Sequence, residues 1–231
     1  MKKKISKYIS LLLLLTSSLL LPTPAHAQKK DKETLKAEYK ASPLYQGTSI
    51  GIEIAGAGGY LLGSDMLSSE IILQTNLKNR FLPVIEVGYG KTDVINDAND
   101  MHYKTSAPYF RIGMDYNFTK KWYTGNRLYL GLRYAFTSFK YDISSPGFAD
   151  PVWGNEVPFV FNGLSANSHW GEIVFGIETR IWKIFHLGWN VRYKIRMSHS
   201  EAPQGSPWYV PGFGKYGNSC IGGTFNIIFD I

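Results

Sequence analysis

Between Phe185 and Ser198 apolar and polar residues alternate without a break. Phe185, Leu187, Trp189, Val191, Tyr193, Ile195 and Met197 hold one parity; His186, Gly188, Asn190, Arg192, Lys194, Arg196 and Ser198 hold the other. A period of two over fourteen residues specifies an extended strand whose side chains meet two different environments. At about 3.3 Å per residue the stretch is roughly 45 Å long, whereas a tilted strand crosses a bilayer with about 9–11 residues.

The alternation recurs along the chain. A first strand is predicted from Thr48 to Leu62, with Ile50, Ile52, Ile54, Tyr60 and Leu62 opposed to Gly51, Glu53, Ala55, Ala57 and Gly59. A less regular second strand runs from Ser68 to Asn76, with Glu70 on its polar side. The third sets Phe81, Pro83, Ile85, Val87 and Tyr89 against Val84, Glu86, Gly88 and Gly90, and the fourth sets Phe110, Ile112, Met114, Tyr116 and Phe118 against Tyr109, Arg111, Gly113, Asp115 and Asn117. The fifth pairs Leu128 to Phe136 with Tyr129, Gly131 and Arg133, and the sixth pairs Ile173 to Ile181 with Glu172, Gly176, Glu178 and Arg180. After the Phe185 strand, the eighth sets Ile221, Phe225, Ile227, Phe229 and Ile231 against Cys220, Gly222, Thr224, Asn226 and Asp230. Long loops at about 92–105, 142–168 and 199–216 alternate with shorter connections. That layout predicts an all-β fold, an eight-stranded antiparallel up-and-down transmembrane β-barrel over residues 48–231.

A soluble barrel would also alternate, so the outward face has to be found separately. Glycine identifies it. Gly51, Gly59, Gly88, Gly90, Gly113, Gly131, Gly176, Gly188 and Gly222 share the parity of the charges, as expected where long side chains crowd a narrow interior. The apolar parity then faces lipid, and Tyr60, Tyr89, Tyr116, Trp170 and Trp182 near strand ends fit interfacial girdles.

The N-terminus changes the reading of charge. Lys2, Lys3, Lys4 and Lys7, an apolar run from Ile9 to Leu21, and Ala25-His26-Ala27 form an export signal over residues 1–27. Its removal takes four lysines and no acid, so 25 basic residues become 21 against 18 acidic ones, a net charge of +3. For an exported chain so weakly basic, nucleic acid is not expected as a partner. Residues 28–47 read as a charged periplasmic leader with a short helix from Lys32 to Tyr39. Cys220 is the single cysteine, so no intramolecular disulfide can form.

From Thr48 to Ile231 the chain resembles the small eight-stranded outer-membrane barrels of the OmpA/OmpX type. The resemblance implies a terminal assembly signal in Phe225, Ile227, Phe229 and Ile231, with isoleucine where phenylalanine is usual at the last position. It also implies residence in the outer membrane of a Gram-negative bacterium, with outer-membrane lipid, lipopolysaccharide and the barrel-assembly machinery as partners. The loop Trp208-Tyr209-Val210-Pro211-Gly212-Phe213-Gly214 looks like that of a family of uncharacterised outer-membrane proteins, which implies no activity.

Two groups of residues carry candidate chemistry. The inward set contains Glu53, Glu70, Glu86, Asp115, Glu172 and Glu178 against Arg111, Arg133, Arg180, Arg192, Lys194 and Arg196, and near-balance of sign points to a paired structural network rather than an ion path. Trp153, Phe159, Phe161, Trp208, Tyr209 and Phe213 enrich the loops in aromatics, the composition of an ordered lid or of a contact with another outer-membrane protein. The expected role is structural or interactive, as an accessory component of a larger assembly; a lipid-modifying enzyme and a small channel are the alternatives. Ser198, His199, Ser200, Glu201, Ser168 and His169 are the residues an acyl-transfer enzyme would draw on, without the spacing of a known barrel hydrolase. Asp93, Asn96, Asp97, Asn99 and Asp100 lack the spacing of a calcium loop, and no metal or cofactor is expected.

Overall fold

The computed structural model describes residues 32–96, 100–119, 125–149, 156–200 and 202–231; the export signal, Asp97, Asn99, Trp153 and Glu201 lie outside the described residues. The chain divides into two units, Met1–Ser42 and Pro43–Ile231. The first contains α1, Lys32–Ala41. In the second the elements run β1 (Tyr45–Glu53), α2 (Ala55–Leu61), β2 (Met66–Leu77), β3 (Phe81–Asn96), β4 (Met101–Asn117), β5 (Arg127–Ala149), β6 (Glu156–Trp182), β7 (Phe185–Ser200), β8 (Tyr209–Val210), β9 (Gly214–Lys215) and β10 (Ser219–Asp230). Strands β1 to β7 and β10 pair antiparallel with their neighbours in sequence. The barrel closes where β10 meets β1, from Ser49↔Asp230 to Glu53↔Asn226. This is the eight-stranded up-and-down barrel that the alternation predicts, with β8 and β9 forming a separate hairpin.

The lower half of the wall, on the side of Tyr45 and Ile231, is apolar outside. Phe81, Ile85, Val87 and Tyr89 on β3, Phe110, Ile112, Met114 and Tyr116 on β4, and Leu130, Leu132, Tyr134 and Phe136 on β5 are all exposed. From Phe81 to Tyr89 a tilted strand rises roughly 20 Å, close to the height of a lipid-facing band. The band stops on one register line, because Tyr89 pairs with Pro108, and the next rung pairs Lys91 with Ser106.

Above that line the polarity of the wall inverts. Ser138 already faces outward on that line beside Pro108, and Lys104, Ser106 and Lys140 face outward above it, while Tyr103, Ala107, Phe139, Tyr141 and Ala166 are buried within. Strands β3 to β6 therefore continue through most of the predicted loops at 92–105 and 142–168. The alternation persists there with water and protein exchanged, and Pro146 and Pro158 interrupt it.

The first predicted strand needs correction. It ends at Glu53, and Ala55–Leu61 is helical. Glu53 carries the reason: its carboxylate accepts the N–H groups of Ala55 at 2.6 Å and Gly56 at 3.0 Å, satisfying donors that open a helix. Gly56 lies against the backbone of Ser68, where any side chain would collide.

Gly88 and Gly176 show why small residues share the charged parity. The Tyr109 ring covers Gly88 and the Tyr129 ring covers Gly176, so each missing side chain is space for a buried tyrosine. Gly88→Val is expected to lower stability by about 1–3 kcal/mol, the range for overpacked sites. The urea midpoint of the folded protein in detergent measures it, Tyr109→Ala in the same chain should recover part of the loss, and an unchanged midpoint for Gly88→Val contradicts this packing.

Candidate functional site: the charged lumen and its plug

The inward parity of β2 to β7 brings its charges to one level of the barrel. Arg192 on β7 reaches across the lumen, with Nη2 2.7 Å from Glu70 Oε1 on β2 and Nη1 2.7 Å from Glu86 Oε2 on β3 and 3.5 Å from Glu172 Oε2 on β6. Arg111 on β4 pairs with Glu70, with Glu86 at 3.3 Å, and through Nε with Glu172 at 2.8 Å. Arg133 on β5 donates to Glu86 at 2.8 Å and grips both oxygens of Asp115 at 2.8 and 3.0 Å. Trp170 Nε1 donates to Glu172 at 2.7 Å, and Asn190 accepts from Arg192 Nε at 2.9 Å. All seven of these charged side chains are buried. Burial of one charge without partners costs several kcal/mol, so the set is held by mutual satisfaction.

A second layer lies nearer the start of β1 and the end of β10. Arg127 Nη1 sits 2.7 Å from Glu178 Oε1. His186 Nδ1 is 2.7 Å from the same oxygen without the alignment of a hydrogen bond, and His186 Nε2 is 2.9 Å from Asp230 Oδ2. Ser49 donates to Asp230 at 2.8 Å, so this layer ties β6, β7, β10 and β1 together at the closure seam. Arg180 reaches the rim of this layer, 3.6 Å from Asp230 and 41% exposed.

Three residues of the expected network sit elsewhere. Glu53 caps α2. Lys194 Nζ donates to the carbonyls of Gly212 at 2.7 Å and Phe213 at 3.0 Å. Arg196 lays its guanidinium over the Tyr216 ring, 3.9 Å from the centroid, and beside Phe213 at 5.4 Å. Arg127 and His186 were not among the candidates although the sequence contains their signal. Arg127 extends the inward parity of β5 by one step, and His186 stands on the polar parity of β7.

Of the predicted loop at 199–216, His199 and Ser200 belong to β7, and residues 202–216 fold into the barrel mouth as a plug. Its tip, Val210-Pro211-Gly212-Phe213, is a turn closed by Phe213 N–H on Val210 O at 3.1 Å, with Gly212 at φ 78°. Proline followed by a glycine with positive φ is the sequence of a type II turn. Pro211 seats against Gly90, Gly212 against the Tyr109 ring, and the Gly212 carbonyl accepts from Arg111 Nη2 at 2.9 Å as well as from Lys194. Tyr103 donates to the Tyr209 carbonyl at 2.7 Å, and Tyr141 donates to that of Gly205. Burial pushes the Tyr209 phenol up to about 12.

The aromatic contact set therefore divides. Tyr209 and Phe213 are buried, Phe213 edge-on to Trp170 at 5.7 Å, and so belong to the plug instead of an external surface. The cause is the inverted upper wall, whose apolar inner face needs apolar cover. Trp208 remains partly exposed, and Phe159 and Phe161 pack on each other on β6, centroids 5.7 Å apart.

The hydroxyl and imidazole groups weighed for acyl transfer also take defined places. The β6–β7 ladder sets Ser168 opposite His199 and His169 opposite Ser198. The buried Ser168 Oγ has no hydrogen-bond partner, His199 stacks edge-on to Tyr216, and His169 Nδ1 is 2.7 Å from the Tyr134 hydroxyl on the outer wall. No serine–histidine hydrogen bond joins them among the described residues.

Arg192→Met is expected to cost about 3–5 kcal/mol, because Glu70 and Glu86 lose a shared cation while staying buried. Urea unfolding in detergent reads the loss, and Glu86→Gln in the same chain should return part of it. Parent-like stability of the single variant would show that the layer is solvated and carries little of the fold.

No curated protein and no solved structure matches the chain. A family described as "Domain of unknown function (DUF6048)" matches residues 5–231, nearly the full length. This plugged eight-stranded barrel belongs to the DUF6048 family.

Proposed function

We propose that the chain is an integral outer-membrane barrel of the OmpA/OmpX-like class with a structural or interactive role, an accessory subunit that offers a docking edge to a larger outer-membrane assembly. The apolar lower wall supports the membrane placement, since the exposed aliphatic and aromatic residues of β3, β4 and β5 end within one rung of the Tyr89–Pro108 line. In that placement the chain ends and the leader are periplasmic, and the plug and the tall β5–β6 hairpin lie outside the cell. Lipid and lipopolysaccharide surround the belt, and β10 presents its terminal residues to the assembly machinery.

One observation carries the docking role. Above Asn167, where its pairing with β7 ends, β6 keeps β5 as its one sheet neighbour among the described residues. Val157 to Ala166 contain no charge, and Val160 is 61% exposed. A long apolar edge strand is a template for pairing with another chain, and soluble proteins blunt such edges with charge. The ion-pair layers and the plug fill the bore, which favours this role over that of a channel.

A photo-crosslinking residue at Val160 in native outer membranes should give a discrete adduct with one other envelope protein, and the same residue at Ser138 should give none. A lone, uncrosslinked monomer from both positions would remove the docking role. Purified protein in planar bilayers should show no stable conductance; steady ion-selective openings abolished by Arg192→Met would instead establish the channel.

A further inference from the structure

The rung just above the apolar belt holds residues that neither the lumen nor the docking edge uses. Lys91 on β3 pairs in register with Ser106 on β4. The β4–β5 register, which sets Thr105 opposite Tyr141 and Phe110 opposite Phe136, places Ser106 opposite Lys140 on β5. Lys140 in turn pairs with Ser165 on β6. The neighbours Thr92, Thr105 and Tyr141 are buried, so this row stands on the outer wall. Two strand spacings put the lysine Cα atoms about 10 Å apart, with the Ser106 hydroxyl between them.

Nearby carboxylates are already engaged. Asp93, one rung higher, lies 2.6 Å from His102 Nε2 and 3.9 Å from Lys104 Nζ, and it also feels the charge of Lys91 without a salt bridge to it. Asp142, opposite Lys104, accepts the Gly163 N–H at 2.7 Å. Neither Lys91 nor Lys140 forms a salt bridge among the described residues. Directly beneath the row lie Tyr89, Pro108 and Ser138, and two rungs lower Val87, Phe110 and Phe136, with Phe110 and Phe136 stacked at 5.3 Å. Cations and a hydroxyl over an aromatic and aliphatic surface match an amphiphile whose anionic headgroup sits above its acyl chains.

We propose that Lys91, Ser106 and Lys140 form a site on the outer wall for the phosphate of a membrane lipid, whose acyl chains lie on Val87, Tyr89, Phe110 and Phe136. The inference rests on the membrane placement proposed above and names a lipid class and an address on the wall. Each ammonium needs to reach across only one strand spacing, about 5 Å, to meet one phosphate over Ser106. Lys104 is drawn toward Asp93 and stands outside the site.

Native mass spectrometry of the full mature chain released from detergent tests it, with phosphatidylglycerol, a bis-phosphorylated lipid A, an uncharged diacylglycerol and inorganic phosphate as probes. Both phosphorylated lipids should give adducts that diacylglycerol does not. Lys91→Gln with Lys140→Gln should weaken them roughly twentyfold to thirtyfold, at about fivefold per lysine near the surface. Lys40→Gln with Lys215→Gln removes the same charge elsewhere and should leave them unchanged. Retention of parent-like adducts by the Lys91/Lys140 variant overturns the site. Inorganic phosphate at matched concentration should not compete; full competition shows a free-anion site and overturns the lipid assignment. Vesicle flotation separates the two readings: a chain that floats but shows no phosphate preference loses the site alone, and a chain that does not float loses the membrane placement with it.

Discussion

The structure depends on buried charges that have to be matched across a narrow bore. Arg192 on β7 meets Glu70 on β2 and Glu86 on β3, strands that are not its sheet neighbours. Such pairs fix what backbone ladders leave free. A ladder tolerates a shift of register, but a shift of one residue would send Arg111, Arg133 or Arg192 to the outer wall and bring Ile112, Leu132 or Val191 inside. An unpaired buried charge costs several kcal/mol, so the network selects one register on every strand at once. Gly88, Gly131 and Gly176 belong to the same constraint, because their missing side chains make room for Tyr109, Asp115 and Tyr129.

The plug follows from the upper edge of that network. Arg111 and Lys194 face the mouth with donors that the carboxylates below do not use up. Residues 202–216 contain no acid, so the donors are met by backbone carbonyls of Gly212 and Phe213. A type II turn brings those carbonyls to the tip of a hairpin, and Gly90 leaves room for its proline. Above the tip the plug is apolar because the wall is: Tyr103, Phe139, Tyr141 and Trp170 bury themselves against Tyr209, Val210 and Phe213. One segment thus completes a polar layer and an apolar layer in turn.

Most of the barrel was legible in the sequence, because apolar outside and charged inside gives a period of two that composition cannot blur. Eight strands, their order and most of the inward charges follow from it. What was missed has physical causes. Ala55 to Leu61 continued the alternation by coincidence, and only the Glu53 carboxylate, placed to accept two N–H groups, turns that stretch into a helix. The tops of β3 to β6 read as loops because the sense of the alternation reverses at Lys91 and Ser138, so a strand looks irregular where its surroundings change. Tyr209 and Phe213 read as an outer surface because sequence shows that a loop is aromatic but not which side of the wall it packs against. His186 was visible as a polar parity position, yet its place between Glu178 and Asp230 depends on three strands meeting at the seam.

The wall is also uneven in height, and the unevenness has a direction. β1 stops at Glu53 and α2 takes over, whereas β5 and β6 run on to Ala149 and from Glu156. The low side has Ala, Gly and Leu in α2, with Leu61 exposed and no charge between Ile54 and Ser64. The tall side holds the Lys91–Ser106–Lys140 row, the engaged acids above it and the uncharged edge of β6 next to it. A headgroup held on that row would lie at the foot of the projecting sheet, beside the edge that β7 leaves open above Asn167. A strand approaching that edge would then meet lipid below and protein beside it. On the docking and lipid readings proposed above, the tall side would give a partner both an orientation relative to the membrane and a register, which a barrel of uniform height would not supply.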